Sequence, residues 1–473
     1  MQPMNLLDCN EDALCLILGY LAQADLNSVC LAHPHLRRLA EPVLYSTVEI
    51  EVPDCPQAAP PPIPSLVGTI LRRPELAAHV RTLSLKGGHP SRWGGGDRRV
   101  PKLVAREPDL LEAISFVERT GLSYRGTWSE GLRGGKRDAY LAVLISQLPR
   151  LQRLHLGCGF FIENDLKSLV LRSILCDSHS DSSINGIPTT LNQLHTVTLK
   201  GYRSRGGRSI RNTANALPFF YLPSLRKMSL FIDDPLVPTL PWPTAEPPSA
   251  SNLTSLKVLS VRESHLGQLL AALPQLRSLS WQWVFDPDFE DQFNSPIINL
   301  DQLMPALAHV RETLTELTIV ASCSYANCAA TPFPLQVQGS ARALAGFDHL
   351  TKLVVPLAFF TGFAVPIRGE RLADCLPRNL EELTLADDLY IDTNGNEEWD
   401  EPAYTRSIVA WLAGGRASAP RLRKLCLVLM CEDGEVDFEW LDVRNEIREL
   451  GQRMGIDVAT QAVYDFGENL VAG

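Results

Sequence analysis

A short phrase of apolar residues recurs along most of this chain and constrains its fold more than any other feature. An apolar residue is followed by two other residues, a second apolar residue, one other residue and a third apolar residue, often after Leu-Pro. From Leu151 to Leu422 the phrase repeats in eight steps over 271 residues, about 34 residues per step. The ten copies are Val80-Leu83-Leu85, Leu151-Leu154-Leu156, Leu194-Val197-Leu199, Leu225-Met228-Leu230, Leu256-Leu259-Val261, Leu276-Leu279-Trp281, Leu314-Leu317-Ile319, Leu350-Leu353-Val355, Leu380-Leu383-Leu385 and Leu422-Leu425-Leu427.

Each copy supplies a short strand whose alternate apolar residues point into a core. The spacing is a long, irregular version of the period of leucine-rich repeats, in which parallel short strands lie inside and the connecting residues pack outside as helices. We therefore predict an α/β fold in which an irregular leucine-rich-repeat solenoid spans residues 66–473. Its predicted connections include helices over 264–273, 405–412 and 438–454, and a last short strand lies near Val458.

Two insertions interrupt the rhythm of the repeats. Residues 86–138 carry ten glycines and many arginines, and residues 233–252 are rich in proline. We expect both segments to be long loops without regular structure, because such insertions in repeat proteins are usually disordered or form binding loops on one face.

Composition and charge exclude several classes of function. The chain has 473 residues, of which 45% are hydrophobic and 21% charged, with a net charge of -10. This balance weighs against a protein that wraps nucleic acid, whose affinity depends on neutralising phosphates. No Lys or Arg precedes the first apolar run, which Asn10, Glu11 and Asp12 interrupt, so no signal peptide is expected. No stretch of about 18 uncharged apolar residues occurs, so no membrane segment is expected either. The eleven scattered cysteines indicate reduced thiols in a cytoplasmic or nuclear protein.

The charge is unevenly distributed along the chain. Residues 66–212 hold 23 basic and 12 acidic residues, whereas residues 376–473 hold 9 basic and 20 acidic ones. Such asymmetry is typical of a polar interaction surface. Arginines that merely keep glycine-rich loops soluble explain it equally well.

The sequence contains no recognisable catalytic or cofactor-binding motif. Residues 131–136 lack the spacing of a phosphate loop, and Arg137 replaces the Ser or Thr that would hold magnesium. The acidic run over 387–401 lacks the glycine and the final carboxylate of a calcium loop. We therefore expect no catalytic residue and no cofactor in this chain.

Metal and nucleic-acid sites are not expected either. Cys323 and Cys328, like Cys426 and Cys431, are five residues apart without the spacing of a zinc site. Residues 200–211 hold five basic residues and no acidic one, with only one aromatic side chain to stack on a base. An arginine-rich loop that contacts an anionic protein explains this segment better than nucleic-acid binding.

The first 45 residues are predicted to form three short helices. The second helix begins near Asp25, a candidate N-cap, and the third begins at Pro34. Asp8 and Glu11 have the spacing of a capping box before the first helix. Apolar residues of the first helix recur at the spacing of an amphipathic helix, at Leu14, Ile17, Leu18 and Leu21.

This N-terminal unit closely resembles an F-box motif, in the form common in filamentous fungi. The resemblance covers about 40 of the 473 residues and departs at Cys9-Asn10, where the motif normally opens with Leu-Pro. It places an F-box domain at 1–50, followed by a proline-rich linker at 51–65 and the repeats. The residues that carry it are Asp12-Ala13-Leu14-Cys15-Leu16-Ile17-Leu18-Gly19-Tyr20-Leu21, Asp25-Leu26-Asn27-Ser28-Val29-Cys30-Leu31-Ala32-His33, Leu36-Arg37-Arg38-Leu39-Ala40 and Pro42-Val43-Leu44-Tyr45.

The resemblance implies a non-catalytic, substrate-recognition subunit of a Skp-cullin-F-box ubiquitin ligase. In that family the helical unit binds the Skp adaptor, and through it a cullin, while the C-terminal region, often leucine-rich repeats, selects the protein to be ubiquitinated. Two alternatives remain open: an F-box-like interaction scaffold that acts outside ubiquitination, and an enzyme with its site in the repeat insertions.

Candidate binding residues follow from these assignments. Adaptor contacts are expected among Leu14, Ile17, Leu18, Leu21 and Leu26, although some or all of these side chains instead hold the three helices together. An unidentified protein substrate is expected to contact the outward positions beside the strand leucines. These positions are Arg153, His155, Thr196, Thr198, Lys227, Ser229, Ser278, Ser280, Glu316, Thr318, Glu382 and Thr384.

Overall fold

The structure is a computed structural model, and its residues group into two compact units. Unit 1 comprises the described residues within 1–202, 214–230 and 242–248, and unit 2 those within 203–213, 231–241 and 249–473. The residues described are 7, 9–52, 60–87, 102–161, 165–175, 191–201, 212–248, 251–285, 292–323, 335–362, 372–386, 401–414, 417, 419–430 and 438–463.

Helices and strands alternate along most of the chain. Up to residue 231 the elements are α1 (Glu11–Gly19), α2 (Gln23–Ala32), α3 (Pro34–Ser46), β1 (Thr47–Val52), α4 (Ile63–Arg72), α5 (Pro74–Ala77), β2 (Thr82–Gly87), α6 (Glu107–Arg119), α7 (Arg125–Arg133), α8 (Arg137–Ser146), β3 (Arg153–Leu156), α9 (Cys158–Phe161), α10 (Asp165–Leu175), β4 (Thr196–Leu199), α11 (Thr213–Ala216) and β5 (Lys227–Phe231). They continue with β6 (Ser255–Leu259), α12 (Glu263–Ala271), β7 (Ser278–Phe285), β8 (Ile297–Asn299), α13 (Leu300–Ala308), β9 (Glu316–Cys323), β10 (Gln336–Gln338), β11 (Lys352–Pro356), α14 (Ala358–Thr361), α15 (Leu372–Cys375), β12 (Glu382–Ala386), α16 (Glu401–Ala413), β13 (Lys424–Met430), α17 (Phe438–Arg453) and β14 (Asp457–Val463).

The strands of unit 1 form a parallel sheet in which β1 to β5 lie side by side in chain order. Leu83 of β2 pairs with Val48 of β1 and Leu154 of β3, and the same row continues through Val197 and Met228. These side chains are buried. In unit 1 the middle apolar residue of each copy therefore lies at the same level of the core.

The sheet of unit 2 is also parallel, in the order β6-β7-β9-β11-β12-β13-β14, while β8 and β10 form a separate parallel pair. Its strands are in register as well, and Leu279 pairs with Leu256 and Leu317. The α/β class and the parallel strands that the phrase predicts are thus confirmed, and so are the helices at α12, α16 and α17 and the last strand, β14.

One copy of the phrase was assigned to the wrong register. The sequence suggests Leu256-Leu259-Val261, but the buried side chains that match the other copies are Leu253, Leu256 and Val258. Val258 pairs with the buried Trp281, whereas Leu259 lies on the opposite face and is only half-buried. Two overlapping choices of apolar residue fit the spacing here, and only pairing with β7 distinguishes them.

The expectation that residues 86–138 form a structureless insertion is wrong for the part that the structure describes. Residues 107–119 and 125–133 form α6 and α7. Trp128 is fully buried, packs edge-on against Phe116 with ring centroids 6.3 Å apart, and donates from Nε1 to the carbonyl of Ala139 at 2.9 Å. Residues 88–101 lie outside the described part of the chain.

The segment expected to link the N-terminal helices to the repeats contains regular structure at both ends. Strand β1 begins at Thr47, directly after α3 ends at Ser46, and pairs along its whole length with β2. Helix α4 begins at Ile63 within the proline-rich run, because proline is favoured in the first turn of a helix. Residues 53–59 lie outside the described residues, as do 249–250 of the second expected insertion.

An ion cluster joins the N-terminal helices to the following part of unit 1. The Glu41 carboxylate on α3 accepts two hydrogen bonds from Arg73, at 2.9 and 2.8 Å, and one from Arg37 at 2.7 Å. Arg73 immediately precedes α5 and also donates to Glu75 at 2.8 Å. The hydrogen bonds from Arg73, followed by those from Arg37, lower the pKa of Glu41 from 4.5 to about 2, although burial acts in the opposite direction.

This lowered pKa predicts an acid-sensitive contribution to stability. Glu41 binds a proton more weakly when folded than when unfolded, so its stabilising effect is complete above about pH 4.5 and is lost as the pH falls towards about 2. We expect Glu41→Gln to lower the free energy of unfolding by about 1–3 kcal/mol at neutral pH. In acid the wild-type protein loses the same stabilisation, so the free energies of the two proteins should become more similar. Urea unfolding of both proteins at a series of pH values measures this. A pH-independent difference would contradict the assignment.

Candidate protein-binding surfaces

The three N-terminal helices enclose a small core of their own. Leu18, Leu26 and Ala40 are buried in it. Of the five residues predicted to bind an adaptor, Leu14, Leu18 and Leu26 are only 1%, 3% and 5% exposed. Leu21 is half-buried and packs against the same core. Four of the five side chains therefore mainly hold the helices together and offer little surface to a partner.

Helix α1 is apolar on its outer face as well. Leu16, Ile17 and Tyr20 are 68%, 43% and 90% exposed. Leu16 and Tyr20 are four residues apart, and Ile17 and Tyr20 are three apart, so these side chains share one side of the helix. Ile17 was predicted as a contact, whereas Leu16 and Tyr20 were missed because they lie outside the stripe of four residues that fits a single buried face.

Exposed apolar side chains are concentrated in this N-terminal region. Among the ten large apolar side chains that are exposed in the described part of the chain, five belong to its first 31 residues. Leu31, in the last turn of α2, is 81% exposed, and Leu7 is 38% exposed. We call Leu7, Leu16, Ile17, Tyr20 and Leu31 the N-terminal apolar set. Exposed apolar side chains in such number are typical of a protein interface.

The first turn of α1 is secured by a side-chain cap. The side chain of Asn10 accepts a hydrogen bond from the backbone N–H of Ala13 at 2.8 Å, and Glu11 and Asp12 follow in the first turn. The cap is thus Asn10, not the predicted Asp8, which lies outside the described residues. Acidic residues in the first turn also favour the helix by opposing its dipole.

A shallow cavity of 540 Å³ lies beside the helices, between α2, α3, β1 and α4. Apolar residues such as Leu44, Val48 and Leu66 line it, together with Tyr45 and Glu49. Burial raises the pKa of Tyr45. The lining has the mixed character of a contact surface and brings no catalytic pair together.

The outward residues of unit 1 form two aligned rows across β1 to β5. All six predicted substrate contacts of this unit lie in these rows, half-buried or exposed. The rows also contain residues that were not predicted, on β1 and β2. The first row is Thr47-Thr82-Arg153-Thr196-Lys227 and the second is Glu49-Ser84-His155-Thr198-Ser229. We call this surface the polar face of unit 1.

The outward residues of unit 2 form corresponding rows, which we call the polar face of unit 2. Its first row alternates in charge from β9 onward, so each carboxylate lies beside a lysine on the next strand. The Lys424 ammonium donates to Glu382 at 3.0 Å, which raises the pKa of Lys424. The first row is Ser255-Ser278-Glu316-Lys352-Glu382-Lys424-Asp457 and the second is Lys257-Ser280-Thr318-Val354-Thr384-Cys426-Ala459.

The structure thus brings all twelve predicted substrate positions onto two polar faces, six in each unit. It adds the lysines of unit 2 and Asp457, which the same phrase could have supplied because Lys352 and Lys424 precede the middle leucine of their copies. Beyond the second row this face of unit 2 becomes apolar, and Val320, Ala386 and Val428 are buried. On β9, β12 and β13 the polar character therefore covers only the first half of the strand, whereas Gln282 and Gln461 occupy the same level on β7 and β14.

His155 lies in the middle of the polar face of unit 1. Its pKa is lowered from the ordinary value of 6.5, first because the ring is partly buried and then because Lys200 and Lys86 lie nearby. Glu49 acts in the opposite direction, and it forms an ion pair with Lys86. The electrostatic environment of His155 is therefore positive.

A buried cluster of charged residues follows β6 in unit 2. The carboxylate of Asp234 accepts hydrogen bonds from the backbone N–H of Arg262, at 3.1 Å to each oxygen, and lies 2.7 Å from Nδ1 of His265. The other ring nitrogen of His265 lies 3.1 Å from the carbonyl of Val237. Ser260 adopts φ 82°, in the left-handed region that non-glycine residues rarely enter.

The Arg262 side chain is held on every side. It pairs with Glu263 at 3.1 Å, donates to the carbonyls of Ser295 and Ile297 at 3.1 and 2.9 Å, and lies over the ring of Trp283 at 4.6 Å. Both nitrogens of His265 already face acceptors, and the ring is 1% exposed. These contacts hold the segment around Asp234 against the residues that follow β6, and neither ring nitrogen of His265 is available to a substrate.

Several sequence features lie partly or wholly outside the described residues. They are residues 202–211 of the basic segment, the acidic run at 387–400, Cys328 and Cys431. Within the described ranges no three His, Cys, Asp or Glu side chains are grouped so that they would hold a metal ion. Residues 131–136, compared above with a phosphate loop, form the end of α7 and the turn into α8.

Across the helices that the structure describes, none combines the length and apolar composition needed to cross a bilayer.

Comparison of the sequence with protein-family models gives no match, and comparison with curated proteins gives none at a significant level.

The buried cluster predicts a large effect of removing one charge. Arg262→Leu removes the donor to Oε2 of Glu263 and to the carbonyls of Ser295 and Ile297, and breaking a buried pair in this way costs about 3–5 kcal/mol. We expect a matching fall in the stability of the variant, measured by urea and thermal unfolding. Arg277→Leu is the matched control, because Arg277 is exposed on the approach to the next strand. Equal unfolding midpoints for the two variants would show that the buried cluster does not stabilise the fold.

Proposed function

We propose that this protein is a non-catalytic substrate-recognition subunit of a Skp-cullin-F-box ubiquitin ligase. The N-terminal helices bind the Skp adaptor as an F-box domain, and the strand repeats, as leucine-rich repeats, hold the protein to be ubiquitinated. One observation carries the proposal: the first helix is apolar on both sides, and only one side is used by its own core.

The contacts of α1 explain why an apolar partner fits here. Leu14 and Leu18 are buried, so the bundle does not need Leu16, Ile17 or Tyr20 for its own core. Leaving these side chains in water costs about 25 cal/mol for each Å² of apolar surface that a partner would cover. A partner that packs against this side of α1 recovers that free energy.

The repeats support the second half of the proposal. Two sheet faces present aligned rows of polar side chains, and residues of both charges occur in them. Polar and charged rows of this kind favour recognition of a protein, because complementary charge determines which partner fits.

Adaptor binding tests the proposal. Leu16→Asp combined with Tyr20→Asp places two carboxylates on the outer face of α1 and leaves the core intact. We expect affinity for a purified Skp adaptor to fall by about a hundredfold or more, because centrally placed apolar contacts contribute most to an interface. Isothermal titration calorimetry measures the affinity, and circular dichroism verifies that the variant is folded.

Two controls make the test specific. Leu111→Asp changes a leucine of similar exposure, 59%, on α6, and we expect it to leave adaptor binding unchanged. Leu18→Asp alters the core, and we expect it to lower the unfolding temperature. Full binding by the Leu16→Asp, Tyr20→Asp variant would contradict the proposed surface.

The second candidate function is an F-box-like scaffold that acts outside ubiquitination. Cys9-Asn10 in place of the usual Leu-Pro favours it, because this is the point where the chain departs from the motif. The Asn10 cap secures the start of α1 without the proline. A folded wild-type protein that does not bind the adaptor at all would establish this alternative over the first.

A further inference from the structure

The polar face of unit 1 carries positive charge that its neighbours do not neutralise. Arg153, Lys200 and Lys227 are exposed. In the part of the chain that the structure describes, none of the three forms an ion pair. Lys86 differs, since Glu49 on the adjacent strand holds it. These charges therefore lie on β3 and β5, where Arg153 and Lys227 belong to the first row of the face, and directly after β4, where Lys200 follows the strand.

The polar face of unit 2 provides an internal comparison. Its first row occupies the same position on each strand as the first row of unit 1. The charges in it alternate in sign across adjacent strands, in the order Glu316, Lys352, Glu382, Lys424 and Asp457. Opposite charges on neighbouring strands stabilise a sheet by themselves. The corresponding row of unit 1 has threonine between its two cations, so sheet stability does not account for them.

The register places the cations around one point. Arg153 and Lys227 both pair with Thr196, from opposite sides. With strands about 4.8 Å apart, their Cα atoms are about 10 Å from each other, and both long side chains can extend over the threonine hydroxyl. Lys200, four residues after Thr196, lies about 13 Å further along the strand direction. His155 and Thr198 lie between these positions.

We propose that the polar face of unit 1 binds a short acidic segment of a partner protein, with one anionic group seated over Thr196 between Arg153 and Lys227. The shared chemistry is an oxyanion, supplied either by a phosphorylated side chain or by neighbouring carboxylates. Arginine and lysine bind both through charge-assisted hydrogen bonds. The inference rests on the proposed function in one respect: it takes this segment to belong to the protein that is ubiquitinated.

The surroundings favour a short segment over a long polyanion. Glu49 and Glu51 on β1 place negative charge two strands away from Arg153, and the whole chain carries a net charge of -10. A nucleic acid that continued across the sheet would meet these carboxylates, and its affinity depends on a large number of phosphate contacts. A segment that ends within the width of three strands avoids them.

Peptide binding to the full-length protein tests the inference. The probes are fluorescent peptides of about ten residues, long enough to cover the three strands β3 to β5 when extended, built from Gly, Ala and Ser with either two phosphoserines, four glutamates or neither. We expect saturable binding of one or both anionic peptides and none of the neutral one. Arg153→Gln with Lys227→Gln should weaken binding by about tenfold or more, and added salt should weaken wild-type binding.

The controls separate this surface from general attraction of anions. Lys352→Gln with Lys424→Gln removes two cations from the same row of unit 2 and should leave peptide affinity unchanged. Arg153→Glu with Lys227→Glu should bind a lysine-containing peptide in place of the acidic ones. In wild type, the bound anion should raise the pKa of His155, which burial and, after it, the nearby lysines now lower, and histidine carbon NMR follows this change.

The outcomes distinguish the sources and the competing partners. A preference for the phosphoserine or the glutamate peptide identifies which group supplies the oxyanion. No saturable binding of either peptide, or equal loss in both glutamine variants, overturns the inference, and so does tighter binding of a thymidine oligonucleotide to the same residues. Adaptor affinity measured on the Arg153→Gln, Lys227→Gln variant should equal that of wild type, so failure here is separate from failure of the proposed function.

Discussion

Register between parallel strands is the constraint on which the rest of this structure depends. Because side chains alternate along a strand, each copy of the phrase sends its leucines to one face and two intervening residues to the other. Pairing at the same level on every strand, as Leu154 pairs with Leu83 and Val197, then turns separate copies into rows. The same alternation in the sequence thereby produces both the core and the two polar faces. A slip of one residue on any strand would exchange the faces locally and bury charge.

The N-terminal helices follow a different rule. Their core is small, and α1 contributes to it with only two of its apolar side chains, Leu14 and Leu18. A helix that is apolar all round is normally buried on all sides. Here the outer side is exposed, with Tyr20 almost fully so. The fold of the described residues accounts for Leu14 and Leu18 but not for the apolar side chains on the outer side of α1.

The parts of the fold that could be predicted are those set by local periodicity, and the parts that could not depend on tertiary contacts. Copies of the phrase placed nearly every core strand, but at Leu256 two registers fitted and only pairing with Trp281 decides between them. The glycine-rich composition near residue 130 concealed α7, whose Trp128 packs against Phe116 of the preceding helix and donates to Ala139 of the following one. The candidate adaptor residues were chosen by helical spacing, which finds the buried stripe and therefore selected core side chains. Spacing cannot indicate that a second, outward stripe at Leu16 and Tyr20 stays exposed among the residues that the structure describes.

The direct passage from α3 into β1 has a consequence for how such a molecule would work. Where a flexible tether joins two binding regions, the bound partners explore a volume set by the length of the tether, and their encounters follow an effective concentration. Here Ser46 ends the helix, Thr47 begins a strand that is hydrogen-bonded to β2, and Glu41 is clamped by Arg73. Within unit 1 the three N-terminal helices are therefore joined to the sheet without a flexible tether. A protein held over Thr196 would be presented at a fixed distance and angle, so geometry, not diffusion, would select which of its lysines comes within reach.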